Sequence, residues 1–592
     1  MAMSARMFGR LVRVRVPMAQ QEEERMTKRR TGIWSVLALL AIASLLVGAC
    51  SQAPTGTATT GGTTGGTGAA DTNGTLTLNM GSEPDTIDPQ KSSFVNEIGQ
   101  ASFVFEGLMS FDTKTSKPVP AAAAAAPKLS ADGLTYTYTL KDGLKYSDGG
   151  ALTAKNFEYA FLRGCDPAAA GDYAFVFYII VGCEAYNTMD TKKATPAELA
   201  AARAKVGVKA TSDKDIAFTL TDPAPYFVPI TALWQGWPVR ESDVTKGGDK
   251  WTEPATYIGN GPFKLTEWKH NEKMVFERND NYRKKIQIKT ITKVMINESA
   301  VAFAAYRNNE LDITGVGPTD LRTVEGDADL KSQVLDVGGS CTFYYGFNVR
   351  RPPFDDVNLR MAFSKSFDRT AFVKDVQQGI GKAADGGFIP PGFPGYDNSD
   401  TVQKYDVAAA KALMDKASPA SKAALTGLKY TFASTATNKA RAEWAQGQWK
   451  TNLGVTVELD PVQSTAYTAL FKKGQDSPQL FFLGWCADFP DQQNWHSTVF
   501  ATGGVSAART GYSSKAFDDL TKAADKEADA TKRDATYNQA GKQLSTDAPA
   551  AWVYYDQTKF LIKPWLKGIT ANPIDYGIPG FFSFDQIFVA KH

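Results

Sequence analysis

The chain has 592 residues, of which 43% are hydrophobic and 11% aromatic, a composition that excludes bulk disorder and predicts several domains with large cores. The formal net charge is +2, but residues 1–49 carry eight Lys/Arg against three Glu, which leaves −3 on residues 50–592. The body therefore lacks the basic excess that nucleic-acid binding requires. Only three histidines occur, so we expect no metal site, no cofactor and no histidine-based catalysis.

Residues 1–49 are typical of a bacterial export signal. Three basic residues at 28–30 precede an apolar run at 33–47, which has the length of a signal-peptide core and is short for a membrane span. Small residues before Cys50 resemble a lipobox, so we expect cleavage there and lipidation of the Cys50 thiol. The alternative is an uncleaved N-terminal anchor helix, and Met26 is a second possible start. Either reading places the body outside the cytoplasmic membrane, lipid-anchored to its outer face or periplasmic.

A Thr/Gly/Ala-rich stretch with almost no charge follows the cysteine. Residues 50–74 are predicted to comprise the lipidated Cys50 and a flexible linker. A chain of two dozen such residues has an r.m.s. reach of about 25 to 30 Å. The linker would allow an anchored domain to tilt and search locally.

Residue periodicity in the body predicts a mixture of helices and strands. The predicted strands are 76–79, 134–140, 263–265, 340–348 and 455–459, and the predicted helices are 156–163, 195–205, 406–417 and 517–526. An alanine run at 121–126 is expected to form a surface helix turn or a loop. Residues 259–262 predict a tight turn, with or without a part in function.

Four cysteines remain when Cys50 is assigned to lipidation: Cys165, Cys183, Cys341 and Cys486. An even number in an exported protein predicts two disulfides, for which three connectivities are possible. A local Cys165–Cys183 bridge is the simplest choice, and Cys341 with Cys486 would then close a long loop. Four free buried thiols are the alternative.

Seven segments in order along the body resemble the family 5 extracellular solute-binding proteins of ABC importers, most closely the oligopeptide-binding type. These segments are 81–89, 105–108, 140–149, 251–254 with 259–262, 353–357 with 367–369, 484–489 and 563–568. Each alone is a weak signal, but seven in order across more than 500 residues are a strong one.

The resemblance implies an α/β, periplasmic-binding-protein-like fold of type II, cluster C, with two lobes, three domains and a ligand cleft between the lobes. The implied ranges are 75–105, 235–340 and 563–592 for domain I, 106–234 for domain II, and 341–562 for domain III. The resemblance also implies the Cys341–Cys486 bridge, which leaves Cys165 with Cys183. We expect a monomer that closes on its ligand and delivers it to a permease and ATPase complex.

The resemblance further implies a set of ligand-binding residues. Asp488 would pair with the α-ammonium of a peptide, because a buried ammonium requires a carboxylate. Val95 and Gly484 would offer backbone groups, since main-chain contacts accept many sequences. The Trp485 ring would pack beside the ligand and Tyr173 would close over it. The alternatives are a turn or helix cap for Asp488 and core packing for the two aromatics.

One departure from the relatives concerns the ligand carboxylate. Phe481 and Phe482 replace polar and basic residues that the nearest relatives carry before the Gly-Trp-Cys motif. Lys472 and Lys473 are possible substitutes, although a solvated lysine pair is the alternative that we favour.

The sequence therefore predicts an extracytoplasmic receptor that captures oligopeptides and is not an enzyme. The same fold with another cargo, such as an oligosaccharide, an opine or a chelated metal, is the main alternative. A secreted hydrolase is disfavoured because no nucleophile elbow or His-Glu-x-x-His motif occurs. A purely structural surface lipoprotein is the remaining alternative.

Overall fold

The computed structural model describes residues 70–71, 73–472, 477–575 and 577–591. The predicted signal peptide, the lipidation site Cys50 and most of the predicted linker lie outside these residues. Within the described ranges, the helices are all too short or too polar to cross a membrane.

Nineteen strands are found in the described ranges. They are β1 Thr75–Asn79, β2 Met109–Phe111, β3 Pro118–Pro120, β4 Lys128–Leu129, β5 Thr135–Thr139, β6 Val208–Ala210, β7 Asp215–Thr219, β8 Phe263–Lys269, β9 Lys273–Arg278, β10 Thr290–Val294, β11 Ile313–Gly315, β12 Val334–Phe347, β13 Lys382–Ala383, β14 Lys429–Ala433, β15 Glu458–Val462, β16 Leu480–Cys486, β17 Ala550–Ile562, β18 Leu566–Lys567 and β19 Phe588–Val589.

Helices alternate with these strands along most of the chain. The α-helices are Val95–Val104, Ala154–Gly164, Cys183–Asn187, Pro196–Arg203, Phe227–Ile230, Glu241–Gly247, Ser299–Arg307, Leu321–Gly326, Ala328–Ser332, Val357–Lys365, Arg369–Asp375, Val407–Lys416, Pro419–Ala423, Ala436–Leu453, Ser464–Ala469, Gln492–Trp495, Ser497–Phe500, Val505–Thr510, Lys515–Lys526 and Ala530–Asp547. Short 3₁₀ turns occur at Ala174–Phe177, Trp234–Gly236, Gly248–Lys250 and Phe581–Ser583.

An 11-stranded mixed sheet runs through the body. Its strand order is β15-β14-β16-β12-β17-β11-β1-β10-β9-β8, with β13 paired to β17 off this path. A separate four-stranded sheet has the order β4-β5-β7-β6. The resulting architecture, sheets covered by helices, is the mixed α/β class that the sequence predicted.

Two long strands, β12 and β17, connect the two ends of the large sheet. Their pairing shifts register between Gly338 and Thr342. On one side of this shift β17 pairs with β11, and on the other side β12 pairs with β16. We call the part that precedes β12 or follows β17 the first lobe, and residues 348–549 the second lobe. A Cβ at Gly339 would lie 1.8 Å from the Asp556 carbonyl oxygen, so only glycine fits at this irregularity.

Most predicted elements occur within a few residues of the predicted bounds. A capping box formed by Thr195 and Glu198 begins the helix Pro196–Arg203, and the Asp406 carboxylate caps the helix Val407–Lys416. The strand predicted at 455–459 was placed too early, since β15 is Glu458–Val462. Val455 and Val457 are instead buried in the preceding loop, where they pack into the second-lobe core.

The alanine run was also partly misjudged. Residues 121–126 form no helix, as the loop prediction allowed, but Ala121, Ala122 and Ala123 are fully buried rather than on the surface. Their backbone N–H groups donate to the carbonyl oxygens of Gly107 and Leu108. Small side chains are needed there because the loop passes close to that backbone.

Both predicted cysteine pairs lie at disulfide distance. The Sγ atoms are 1.97 Å apart in Cys165–Cys183 and 2.08 Å apart in Cys341–Cys486. Cys341 and Cys486 are directly opposite each other in the antiparallel β12–β16 ladder. Cys486 of the second pair is followed directly by Ala487 and then by Asp488, a predicted ligand-binding residue.

The end of the predicted linker contacts the body. Ala70 forms a bridge with Ala590, and the Asp71 N–H donates to the Val589 carbonyl oxygen at 2.8 Å. Hydrogen bonding with the body thus extends back to residue 70.

Candidate functional site

Asp488 is a buried carboxylate with few partners. The residue is 7% exposed and follows β16 at the end of the Gly-Trp-Cys motif. Its Oδ2 accepts one hydrogen bond, from Asn494 Nδ2 at 2.9 Å. Among the described residues, no Lys, Arg or His nitrogen lies within 4.0 Å of this carboxylate. Burial raises the pKa of Asp488 to about 7, against the lowering effect of Asn494.

Local sequence explains how this carboxylate is held. Asp491 caps the helix Gln492–Trp495 by accepting from the Gln493 N–H at 2.8 Å. That helix presents Asn494, whose Oδ1 accepts from the Asp488 N–H at 2.9 Å. Asp491, rather than Asp488, is the helix cap. The cap alternative for Asp488 is therefore wrong, and the carboxylate keeps most of its acceptor capacity.

Two aromatic rings from different lobes meet beside Asp488. Tyr173 belongs to the first lobe and Trp485 to the second, and their rings are stacked with centroids 6.2 Å apart. Tyr173 also packs on Trp234 at 5.0 Å. Both residues are buried, and among the described residues Trp485 Nε1 has no hydrogen-bond acceptor. The pair packs like a core, but it leaves one polar donor unused.

Gly484 lies on a strand edge that is only partly covered. It pairs with Phe343 of β12 on one side. On the other side, the described part of β14 pairs with β16 only at Leu480 and Phe481. The stretch from Leu483 to Cys486 therefore presents a strand edge without a partner strand among the described residues.

Val95 begins a helix rather than an extended segment. It is the first residue of Val95–Val104 and is 40% exposed. The Glu97 carboxylate folds back to accept from the N–H groups of Ser93 and Phe94, at 2.7 and 3.2 Å. This capping arrangement fixes the chain at the first-lobe surface that faces the second lobe.

Lys472 crosses from the second lobe to Glu97. Its Nζ lies 2.7 Å from Glu97 Oε1 and 3.0 Å from Oε2. The solvated-lysine interpretation is therefore wrong for Lys472, because the side chain is largely buried in an ion pair between lobes. Lys473 lies outside the described residues. The Asp222–Lys526 pair, at 3.0 Å, also joins the lobes but is more exposed.

Sequence reasoning missed three polar residues in the same interface. Asp172, Ser93 and Arg509 are buried or half-buried close to Phe94 and Tyr173. Ser93 Oγ and Asp172 Oδ2 have no partner of hydrogen-bond geometry among the described residues. Asp172 and Ser93 are next to predicted residues, which was a usable signal, whereas Arg509 carries no motif.

A metal centre finds no support in the side chains that the structure describes. Among these residues, no group of three or more His, Cys, Asp or Glu could hold a metal ion. The arrangement instead offers a carboxylate acceptor, a strand edge and aromatic faces, which suit an organic cation with a peptide-like backbone.

Comparisons with known proteins agree with this geometry. The sequence model described as bacterial extracellular solute-binding proteins, family 5 Middle, matches residues 117–507. The oligopeptide-binding protein OppA of Bacillus subtilis is 32% identical over 90% of this chain and 96% of its own length. This chain belongs to the family 5 bacterial extracellular solute-binding proteins. The family is one of solute-binding receptors.

Solved structures of family 5 proteins share the fold. The murein tripeptide binding protein MppA of Escherichia coli is similar with a TM-score of 0.79, at 27% identity, over 88% of this chain and all of the other. Haemophilus influenzae OppA in complex with the peptide RPPGFSPFR is similar with a TM-score of 0.76, at 25% identity and the same coverage. The two-lobed periplasmic-binding-protein fold is therefore confirmed.

A second structure of MppA allows the lobe arrangement of this chain to be compared with an open form. The unliganded open form of MppA gives a TM-score of 0.61, against 0.79 for the other structure of the same protein. The contacts between lobes at Glu97–Lys472 and Tyr173–Trp485 agree with that difference. The structure described here is thus unlike the open arrangement.

Proposed function

We propose that the chain is the extracytoplasmic receptor of an ABC importer and that it encloses an oligopeptide between its two lobes. Asp488 carries the proposal, because its carboxylate is buried at the lobe interface with one hydrogen bond and no cation within 4.0 Å among the described residues. A buried carboxylate without a cation is costly, and a peptide α-ammonium would supply both charge and donors.

Backbone groups would hold the rest of the ligand. The open edge of β16 at Gly484 and Trp485 supports strand addition, in which main-chain hydrogen bonds do not depend on the peptide sequence. Val95, at the start of its helix, would contribute from the first lobe. Helix starts leave N–H groups without partners inside the helix, and such groups can bind a ligand carbonyl.

Trp485 and Tyr173 would close over the ligand. Their stacked rings join the lobes, and the free Trp485 Nε1 could donate to a carbonyl of the peptide. In the open receptor these rings would separate as the lobes rotate about the β12–β17 connection.

The three-domain division follows the same proposal. Domain I would comprise 75–105, 235–340 and 563–592, domain II 106–234, and domain III 341–562. The boundaries near 340 and 562 fall within or at the end of the long strands β12 and β17, where a hinge between lobes would lie. The four-stranded β4-β5-β7-β6 sheet falls within the domain II range.

Anchoring and delivery complete the proposed function. Cys50 would carry the lipid, and the linker would give the receptor its reach to a permease and ATPase complex. The receptor would act as a monomer, be stabilised by the disulfides Cys165–Cys183 and Cys341–Cys486, and perform no catalysis.

Calorimetry with tri- to pentapeptides tests the proposed function. We expect micromolar or tighter binding of peptides with a free N-terminus and much weaker binding of the same peptides after N-acetylation. If no free peptide binds while an uncharged oligosaccharide does, the cargo is a different one and the proposal fails.

A further inference from the structure

Arg509 is a buried cation at the lobe interface that no carboxylate neutralises among the described residues. The residue lies in the second-lobe helix Val505–Thr510 and is 5% exposed. Its guanidinium carbon lies 5.0 Å from the ring centroid of Phe94, which belongs to the first lobe. No described carboxylate oxygen lies within 4.0 Å of its nitrogens.

Other buried arginines of this chain have acceptors: Arg360 and Arg369 donate to backbone carbonyl oxygens, and three more pair with a carboxylate. Arg163 binds Asp88 at 2.6 Å, Arg533 binds Asp491 at 2.7 Å, and Arg283 contacts Glu106 at 2.5 Å. Among the described residues Arg509 has neither a carboxylate oxygen within 4.0 Å nor a hydrogen bond to a backbone carbonyl oxygen, and burying a guanidinium without such acceptors is costly.

The neighbouring charged side chains do not neutralise the Arg509 guanidinium. Lys472 Nζ lies 5.3 Å from the centroid of the same Phe94 ring, but Glu97 already neutralises this cation. Asp172 is a candidate anion, and burial raises its pKa to about 6, while Lys472 and Arg509 lower it. Among the described residues, however, neither Asp172 oxygen lies within 4.0 Å of an Arg509 nitrogen, so the two side chains form no ion pair.

Arg509 and Asp488 both act electrostatically on the side chain of Tyr173. Burial raises the pKa of Tyr173 far above its usual value, the Asp488 carboxylate raises it further, and Arg509 lowers it. Two opposite and unneutralised charges therefore act on one buried tyrosine. Arg509 also lies beside the Tyr344 hydroxyl, which is hydrogen-bonded to Ser506 Oγ at 2.8 Å.

We propose that Arg509 binds a carboxylate of the ligand that lies close to the ligand's free N-terminus. The inference rests on the proposed function, in which Asp488 binds the ammonium, and it adds a second charged contact to that site. Guanidinium and carboxylate form paired, charge-assisted hydrogen bonds, so Arg509 matches this group better than a neutral amide.

Two kinds of peptide carry such a carboxylate. In a dipeptide it is the C-terminal carboxylate, and in a longer peptide it is an acidic side chain at the first or second residue. An extended residue spans about 3.5 Å, so both sources bring the carboxylate within one or two residues of the ammonium. A long peptide without an early acidic residue would leave Arg509 unpaired.

Calorimetry on the full wild-type chain gives the first test and requires no variant. One arm compares Ala-Ala with Ala-Ala-amide, and a second arm compares Ala-Glu-Ala-Ala with Ala-Gln-Ala-Ala. We expect removal of the carboxylate to weaken binding at least tenfold in at least one arm, and the arm that responds identifies the source. If all four peptides bind and neither arm shows a threefold difference, the Arg509 proposal is wrong although the proposed function stands. If none of them binds, the proposed function itself fails.

Variants assign the effect to the side chain. Arg509→Gln is expected to abolish the difference within the responding arm, and Arg509→Lys to restore part of it. Lys515→Gln, which removes an exposed positive charge from the same lobe, should leave the difference unchanged. Equal weakening of all peptides by Arg509→Gln would show a structural cation and overturn the proposal. If Arg509→Gln does not fold, the wild-type comparison still decides.

Discussion

Two buried aspartates differ in the partners that their carboxylates have. Asp88, in the first lobe, accepts two hydrogen bonds from Arg163 at 2.7 and 2.6 Å and a third from Trp251 Nε1 at 2.9 Å. Asp488, at the lobe interface, accepts one from Asn494. Both are nearly inaccessible, so burial alone does not distinguish them. The Asp88 carboxylate is neutralised within the chain, whereas the Asp488 carboxylate has one hydrogen bond and no cation within 4.0 Å among the described residues.

The largest expected effect is on stability and comes from removing the cation that pairs with Asp88. Arg163→Met leaves Asp88 buried without a cation, which should lower the free energy of unfolding by about 3 to 5 kcal/mol. Lys155→Met, an exposed change on the same helix Ala154–Gly164, should change it by less than about 0.5 kcal/mol. Urea unfolding measures both. Equal stability of the two variants would contradict the structural role given to Asp88.

The protonation state of Asp488 should determine how peptide binding depends on pH. The folded, unliganded protein holds the pKa of Asp488 near 7, raised from 3.8 by burial, so an ammonium must displace a proton below pH 7. Affinity for a free-N-terminus peptide should fall about 50-fold from pH 7 to pH 5, and the slope should approach about tenfold per pH unit well below the pKa. Of the groups around Asp488, Tyr173 and Asn494 do not titrate in this range, whereas Asp172, which precedes Tyr173, does, because burial raises its pKa to about 6.

The same raised pKa also affects stability. Because the folded state holds the proton more tightly than the unfolded state, the Asp488 contribution is fully present below about pH 4. It is lost as the pH rises toward 7. Asp488→Asn should remove this part of the pH profile of unliganded unfolding. An unchanged profile in the variant would show that Asp488 is already ionised in the free protein.

A smaller effect is expected from the ion pairs that join the lobes. Lys472→Gln leaves Glu97 buried without its cation and should weaken peptide binding about tenfold by disfavouring closure. Lys526→Gln breaks the more exposed pair with Asp222 and should change affinity less than about twofold. Small-angle scattering should show a more open unliganded receptor for Lys472→Gln alone. Similar scattering for both variants would contradict the distinction.

The smallest effect is expected from a change at Trp485 that keeps its ring packing and removes its hydrogen-bond donor. Trp485→Phe keeps an aromatic ring beside Tyr173 and removes the unused indole N–H. Peptide affinity should fall by about 1 kcal/mol, while the melting temperature of the unliganded protein stays within about 2 °C. Lowered melting without lowered affinity would make Trp485 a core residue only.

The sequence predicted the elements with local signals. Thr195 with Glu198 and the cap Asp406 fix helix starts by contacts between near neighbours, and alternation fixes β1 and β5. Burial of the alanine run depended on the distant backbone of Gly107 and Leu108, which no local pattern reveals.

The residues of the candidate site show the same difference between local signals and contacts with distant parts of the chain. Asp488 and Trp485 belong to a recognisable motif, and the structure brings them together with Tyr173. Arg509 lies in a helix without a motif, and no carboxylate oxygen lies within 4.0 Å of it among the described residues. A missing partner is visible only when all neighbours in space are known.

Calorimetry of Asp488→Asn with a matched pair of peptides tests the central claim most directly. The wild-type chain should bind Ala-Ala-Ala at least 100-fold more tightly than N-acetyl-Ala-Ala-Ala. The variant should lose that preference, because its amide is not an anion for the ammonium. Retention of the preference by a folded Asp488→Asn protein, or equal weakening for both peptides, would contradict the assignment of Asp488 as the ammonium site.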